Sequence, residues 1–469
     1  MKRVGLVLGV VVLVAGAVLV KRLQPGVALA VGAGYAARVT CSLAFHSGMD
    51  PEWVMRRYVS FDLGPADSLV RVSVDREAGA VDAVAARLAR ARVIHRDGIG
   101  CTLLADADEA ALRRFRDPPH APPLASDVPW PRGEAAIGAP PPPALNAALE
   151  EAFAEPNRGA GPLRQTSAVL VAHRGRLVAE RYGSGIGPDT PLLSWSMAKS
   201  VIAALVGVAV REGRADLHAP APVPEWRGGS DPRGAITMDQ LLRMSSGLAF
   251  DETYGAVNDV SRMLFTRADA GAFAAGFPVV GPPDSVWSYS SGTSNILARI
   301  VRDVLGRDLE AMVSWSRRAL FDPVGMRSAV FETDASGSFI GSSLFFATGR
   351  DWARFGQLHL QDGVWQGRRI LPEGWSRYVS TPTPQAPEGG YGAGWWLNAG
   401  DPDDPTQRMW PSLPREAYSA RGKSGQYVVV VPSAELVVVR LGLSQAEGDD
   451  LHGVEPLVRA ALDTLAPGS

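Results

Sequence analysis

The chain has 469 residues, 46% of them hydrophobic, which is enough apolar material for a large core and excludes a wholly disordered protein. Its 47 basic and 49 acidic residues leave a net charge of −2, and no zinc-finger or RNA-binding signature accompanies them, so nucleic acid is excluded as a partner. Of the basic residues, 43 are arginine and only four are lysine, at positions 2, 21, 199 and 423, so each lysine marks a place where arginine was passed over.

Residues 4–20 form an uncharged apolar run at the short end of what spans a bilayer, flanked by Lys2 and Lys21. Lys21 and Arg22 interrupt this run ahead of Ala28-Leu29-Ala30, a triplet resembling a signal-peptidase site, so an uncleaved membrane anchor is preferred over a cleaved export signal. The flanking charges nearly balance and set no orientation. The only two cysteines, Cys41 and Cys101, lie in the next segment, 26–116. An exported chain is expected to join them in one disulfide, whereas a cytosolic chain would keep two separate thiols. Neither sits in a C-x-x-C, and no His or Cys cluster offers four ligands, so no metal is expected. Within 26–116, residues 68–74 alternate like a strand while 80–92 and 108–116 have helical spacing, which predicts a small α/β extension. Ten prolines between positions 117 and 143 make 117–147 a linker or a crossing strap.

Residues 148–469 are read as the main unit. A helix over 144–153 is followed by a hairpin, 168–172 and 176–181, turning at His173-Arg174-Gly175. Residues 199–211 form a long apolar helix pattern, 238–244 a short one and 295–305 another. Strands over 427–431 and 436–441, joined by Pro432-Ser433-Ala434-Glu435, make a second hairpin, and 454–465 is a closing helix. Strands at both ends with helices between predict an α+β architecture in which the two ends share one antiparallel sheet.

Three motifs carry possible chemistry. In Ser196-Met197-Ala198-Lys199 the i, i+3 spacing puts an amine beside a hydroxyl at the mouth of a helix, the pattern of an activated nucleophile. Arginine cannot give up its proton, so a lysine here points to chemistry rather than surface charge. In Tyr289-Ser290-Ser291 a loop of small residues exposes a tyrosine that a neighbouring ammonium group can drive toward phenolate, a candidate general base. The third motif is Gly422-Lys423-Ser424-Gly425-Gln426. Residues 417–424 nearly fit a phosphate-binding loop, but strand formers follow where a helix is required, which leaves a strand segment lining a hydrolase cleft.

In that order the three motifs resemble the active-site elements of the serine β-lactamase and penicillin-binding-protein superfamily, and within it the class C β-lactamase-related hydrolases that include 6-aminohexanoate-dimer hydrolase and related esterases. Leu241 to Leu248 and Ala347 to Trp352 support the resemblance, which runs over about residues 160–445. It implies a β-lactamase-like fold, an antiparallel sheet flanked by helices with a helical subdomain. It also implies Ser196 as acylated nucleophile, Lys199 as the group that takes or relays its proton, and Tyr289 as acid/base. The oxyanion would be held by the N–H groups of Ser196 and of a residue on the third element, Lys423. Gly422, Ser291 and, in the Phe250-Asp251-Glu252-Thr253-Tyr254 stretch, Tyr254 would contact substrate, although from the residues alone simple packing is the preferred reading of Tyr254. Ser291 stands where class C enzymes usually have asparagine, and the strand is alternatively expected to present Ala420-Arg421-Gly422 with the Lys423 side chain outside the cleft. Either departure disfavours efficient β-lactam hydrolysis. Trp395 and Trp396 are read as core aromatics, with walls of the cleft as the alternative. The segment with Cys41 and Cys101 resembles an extension of exported members.

The reading is a serine hydrolase of a small amide or ester, without cofactor or metal, exported to the periplasm and held at the inner membrane by residues 4–20. The alternatives are a β-lactamase or D-alanyl-D-alanine peptidase, or a catalytically idle binding module. Substrate identity and oligomeric state stay open.

Overall fold

The structure, a computed structural model, describes residues 24–156, 161–404, 406–445 and 448–467; the apolar run 4–20 lies outside them. The first described element is a 21-residue helix, α1 (Pro25–Phe45). By length and composition it is apolar enough to cross a membrane, but most of it is buried inside the protein, as in a core helix. The sequence reading missed it because burial on all sides erases the apolar stripe that betrays a surface helix. It packs on a four-stranded antiparallel sheet, β1 (Val70–Asp75), β2 (Ala80–Ala85), β3 (Ala89–Arg96) and β4 (Gly100–Leu103). The helix expected over 80–92 is therefore a hairpin. Ala86 and Arg87 turn it at φ +49° and +61°, and small side chains such as Ala83 and Ala85 let β2 lie close against α1, contacts that outweigh alanine's helix preference. Of the helix expected over 108–116, only the turn Glu109–Leu112 forms, capped by Asp108. The Cys41–Cys101 disulfide joins α1 to β4.

Extended chain then crosses the surface as a strap held by buried arginines: Arg317 donates to Pro118 O at 2.6 Å, and Arg354 to Pro131 O at 3.0 Å and Gly133 O at 2.9 Å. After α2 (Pro143–Phe153) come β5 (Thr166–His173) and β6 (Arg176–Tyr182), the helix α3 (Ala198–Arg211), the helix α4 (Ser291–Val304) and the helix α5 (Gly349–Leu360). The last part supplies β7 (Trp396–Leu397), β8 (Tyr418–Gly422), β9 (Gln426–Val431), β10 (Leu436–Gly442) and the helix α6 (Val454–Leu465).

Six strands form one antiparallel sheet in the order β7-β8-β9-β10-β5-β6, so the early and late parts of the main unit meet at the β5/β10 pair, as the terminal hairpins predict. Alternation splits each strand between two cores. Ala168, Leu170, Val428 and Val437 face α5 and the interior, and Val169, Val171, Val429 and Val438 face α2 and α6. Gly356 brings α5 down onto the sheet, since a Cβ there would stand 2.5 Å from Val437 and 2.8 Å from Val428. The interior core also contains Val31, Val39, Val81 and Val93, so the N-terminal extension and the main unit share one continuous apolar interior.

Candidate active site

Ser196 lies in a single 3₁₀ turn, Trp195–Met197, that runs directly into α3. Trp195 takes φ +45°, a left-handed conformation that costs a non-glycine residue on the order of 1–3 kcal/mol. Residues 192–195 and 197–200 are buried and Ser196 is half-buried, so its hydroxyl is where this run opens to the outside.

One turn on, the buried Lys199 donates to three oxygens, Ser196 Oγ at 3.0 Å, Ser291 Oγ at 3.1 Å and Ser342 O at 3.1 Å. Its Nζ also stands 4.7 Å from the centre of the Tyr289 ring. Ser291 in turn donates its hydroxyl to Glu252 Oε1 at 2.5 Å and its N–H to Oε2 at 2.7 Å. Glu252 is half-buried with its carboxylate turned inward; burial pushes its pKa up, and the Lys199 charge and the Ser291 bonds pull it back. Helix α4 begins at Ser291, earlier than the expected 295, because Ser290 caps it by accepting from Thr293 N at 3.2 Å. Tyr289 precedes that cap, half-buried in an aromatic group with Tyr391 at 5.9 Å and Trp396 at 5.2 Å between ring centres. Trp395 is a core residue, as expected, but Trp396 flanks Tyr289 instead.

The third motif divides at Gly422. Strand β8 ends there, directly over the Ser196 turn: a Cβ on Gly422 would stand 3.1 Å from Ser196 N and strike Ser194 O. Ala420 lies on the same side of the strand by alternation. Lys423, Ser424 and Gly425 form the turn to β9, and the Lys423 ammonium leaves the strand to pair with Asp62 of the extension at 2.5 Å. The expected Lys423 side chain is therefore outside the cleft, on the extension side. Tyr254 is 53% exposed, and the inward position on its loop belongs to Glu252. Sequence reasoning missed Glu252; its only signal was lying two positions before Tyr254 in the loop that follows Ser246-Gly247-Leu248. Among the described residues, no group of three His, Cys, Asp or Glu is placed to hold a metal. Surface cavities of ≈ 580 Å³ beside Arg233 and ≈ 400 Å³ beside Met55 are lined by none of these site residues.

Three motifs far apart in sequence thus converge on one serine. Residues 156–462 match the Beta-lactamase family. The chain belongs to that family. Within it, the chain is 29% identical over 312 residues to 6-aminohexanoate-dimer hydrolase of Paenarthrobacter ureafaciens, over 61% of this chain and 74% of the relative. It is 27% identical over 323 residues to Penicillin-binding protein 4 of Amycolatopsis lactamdurans, over 58% and 75%. Among solved structures, a Bacillus anthracis protein assigned as a 6-aminohexanoate-dimer hydrolase superposes with a TM-score of 0.56 at 22% identity, over 88% of this chain and 97% of the other. A family VIII carboxylesterase gives 0.53 at 17% identity, over 71% and 100%. These two carry the fold, and the first reaches beyond residues 156–462 into the N-terminal part of the chain. The α+β fold expected from the three motifs is that of Beta-lactamase-family hydrolases, which makes the protein a relative of serine hydrolases in general.

Proposed function

We propose that the protein hydrolyses a small amide or ester through an acyl-enzyme on Ser196, with Lys199 as its proton acceptor. The observation that carries this reading is the direction of the hydrogen bonds around Lys199. Ser342 O can only accept, and Ser291 Oγ has committed its proton to Glu252, so it too can only accept. When Lys199 is a neutral amine, its two protons go to these oxygens and its lone pair has one hydroxyl to face, that of Ser196. The amine takes the Ser196 proton as Oγ attacks the substrate carbonyl carbon. The tetrahedral oxyanion then collapses, breaking the bond to the leaving nitrogen or oxygen, which takes the proton that Lys199 accepted, relayed by Tyr289, and departs as amine or alcohol. Water attacks the resulting ester in the second half, its proton passing to the again neutral Lys199 and from there to Ser196 Oγ as the acyl bond breaks and the acid is released. Tyr289, with its ring against the ammonium, is the proposed acid/base toward the leaving group. The Ser196 N–H and that of Lys423, next to Gly422, are the proposed oxyanion donors, with Gly422 and Ser291 lining the site and Tyr254 at its rim.

Two features favour a small amide or ester over a β-lactam or a D-alanyl-D-alanine peptide: Ser291 offers no amide to hold a side chain, and the Lys423 charge is spent on Asp62. The disulfide suits an oxidising compartment, so we place the working enzyme outside the cytosol, in the periplasm, held at the inner membrane by residues 4–20. Incubating the full chain with short acyl esters, aminohexanoate oligomers and a chromogenic cephalosporin, with intact-mass detection, tests the reading. The expected result is an acyl adduct on Ser196 from the esters or the oligomers. An adduct mapped to another residue, or turnover that survives Ser196→Ala, would refute it.

A further inference from the structure

Both lysines within the described residues stand at the site, but only Lys199 touches Ser196; Lys423 is held by the N-terminal extension, to which the site chemistry assigns no role. The contact with Asp62 is one of several. Residues 55–59 depart from α-helical winding into a π-helical turn, a form that recurs at functional sites, and this turn presents Tyr58 to the main unit. The buried Tyr58 hydroxyl accepts from Trp195 Nε1 at 2.6 Å and lies 3.0 Å from Ser424 Oγ. Four residues on, Asp62 takes the Lys423 ammonium and the Tyr35 hydroxyl.

These partners are the two pieces of backbone that bracket the nucleophile. Trp195 immediately precedes Ser196 and has φ +45°; Ser424, in the turn that follows the Gly422 strand end, has φ +63°. Each is a non-glycine residue in a left-handed conformation that must be held by its surroundings. The same phenol touches both. The Lys423 ammonium lies 5.6 Å from the Trp195 ring, closing the arrangement from the other side. The disulfide braces the extension internally, α1 to β4, and Glu332 tethers it to the main unit, accepting from Ser42 Oγ at 2.7 Å and from Cys101 N at 3.1 Å.

We infer that Tyr58 and Asp62 of the extension are positioning residues of the active site, fixing the distance between the Ser196 turn and the oxyanion-side turn at 423–424. The inference rests on Ser196 being the nucleophile. Tyr58 acts through Trp195 and Ser424 and touches no reacting atom; its removal should misplace the oxyanion donors rather than weaken substrate capture.

The test compares the full chain with Tyr58→Phe, which keeps the ring and removes both hydroxyl contacts, and with Asp62→Asn, nearly isosteric and partly exposed. Leu88→Ser, at a surface turn of the same extension, is the control. Acylation rate and KM are measured separately on whichever ester labels the parent. Tyr58→Phe is expected to lower the acylation rate about 10- to 100-fold, in the range seen when a donor or its alignment is lost, with KM within about twofold. Asp62→Asn should lose about three- to tenfold, and Leu88→Ser should match the parent. Trp195→Phe removes the donor to Tyr58, so the Trp195→Phe/Tyr58→Phe double variant should lose little more than the worse single variant. Acylation within twofold of the parent in Tyr58→Phe, or in Asp62→Asn should the former not fold, overturns the inference; so does strict additivity in the double variant. A parent labelled elsewhere than Ser196 refutes the nucleophile assignment first and this inference with it, so the two failures are told apart by the parent alone.

Discussion

Glu252 and Glu332 are both turned into the protein beside a basic group, and the basic groups differ. At the extension interface Glu332 is fully buried, 3.7 Å from Arg38 Nε, and accepts from Ser42 and from Cys101 N. Arg38 spends its other nitrogens on Leu264 O at 3.1 Å and Thr333 O at 3.0 Å. Burial lowers the Arg38 pKa and Glu332 restores part of it, yet guanidinium stays protonated, so this pair does one thing, to hold two segments together. At Glu252 the neighbour is Lys199, whose amine can exist in two states, and a hydroxyl stands between carboxylate and amine. In a chain that writes arginine at 43 of 47 basic positions, the cation beside Ser196 and Ser291 is one of the four lysines. The difference teaches that a buried charge pair is structural or chemical according to whether its cation can be neutralised.

Removing the Ser196 hydroxyl, the proposed nucleophile, breaks the contrast most deeply. Ser196→Ala should lower turnover by about 10⁴-fold or more and abolish covalent labelling while leaving the melting temperature near that of the parent. Exchanging the cations sharpens it. Lys199→Arg should lose at least about a hundredfold in acylation rate while remaining folded by circular dichroism, because guanidinium cannot accept the Ser196 proton. A loss below tenfold would remove Lys199 as the proton acceptor. Arg38→Lys, the mirror exchange, should keep the rate and lower stability by about 1–3 kcal/mol in urea titration, since a compact ammonium cannot span acceptors set around the spread nitrogens of a guanidinium fork.

Glu252→Gln is expected to lose about tenfold in acylation, because a neutral amide no longer fixes Ser291 as donor. The sign of its pH effect follows from the direction of the shift: burial raises the Glu252 pKa above the ordinary 4.5, so protonation, and with it loss of the Ser291 orientation, begins at a higher pH than for an exposed glutamate. An acid limb of the acylation profile lying above 4.5 in the parent and missing from Glu252→Gln would bear this out; identical acid limbs would exclude the role. The smallest effect on catalysis is expected at the disulfide. Replacing Cys41 and Cys101 by serine should cost about 2–5 kcal/mol of stability with little change in rate below the melting transition, and both thiols should resist alkylation in unreduced, denatured protein.

Much of the fold was legible because its signals are local. The Tyr427 to Val431 run with its Pro432 turn, and the 168–181 hairpin, announce themselves by β-branched residues bounded by turn formers, and Ser196 and Lys199 share a face by helical spacing. What stayed hidden depends on distance in sequence. Glu252 looks like one more acid in a polar loop until Ser291 meets it, and Tyr58 looks like a packed aromatic until Trp195 and Ser424 close around its hydroxyl. The 80–92 hairpin was misread because alanine and arginine favour helices in isolation, and only α1 decides otherwise. Lys423 was recognised as a motif residue, but its partner lies hundreds of positions earlier.

The pairing of Thr166–His173 with Leu436–Gly442 at the heart of the main sheet also governs when the candidate site can assemble. A ribosome delivers Ser196 and Lys199 long before it delivers Gly422 and β10, so a growing chain holds the Ser196 turn without the late strands that brace it. Non-local strand pairing of this kind closes slowly and late. The Ser196 turn and the Gly422 strand end are consequently braced against each other only when Leu436–Gly442 slots beside Thr166–His173.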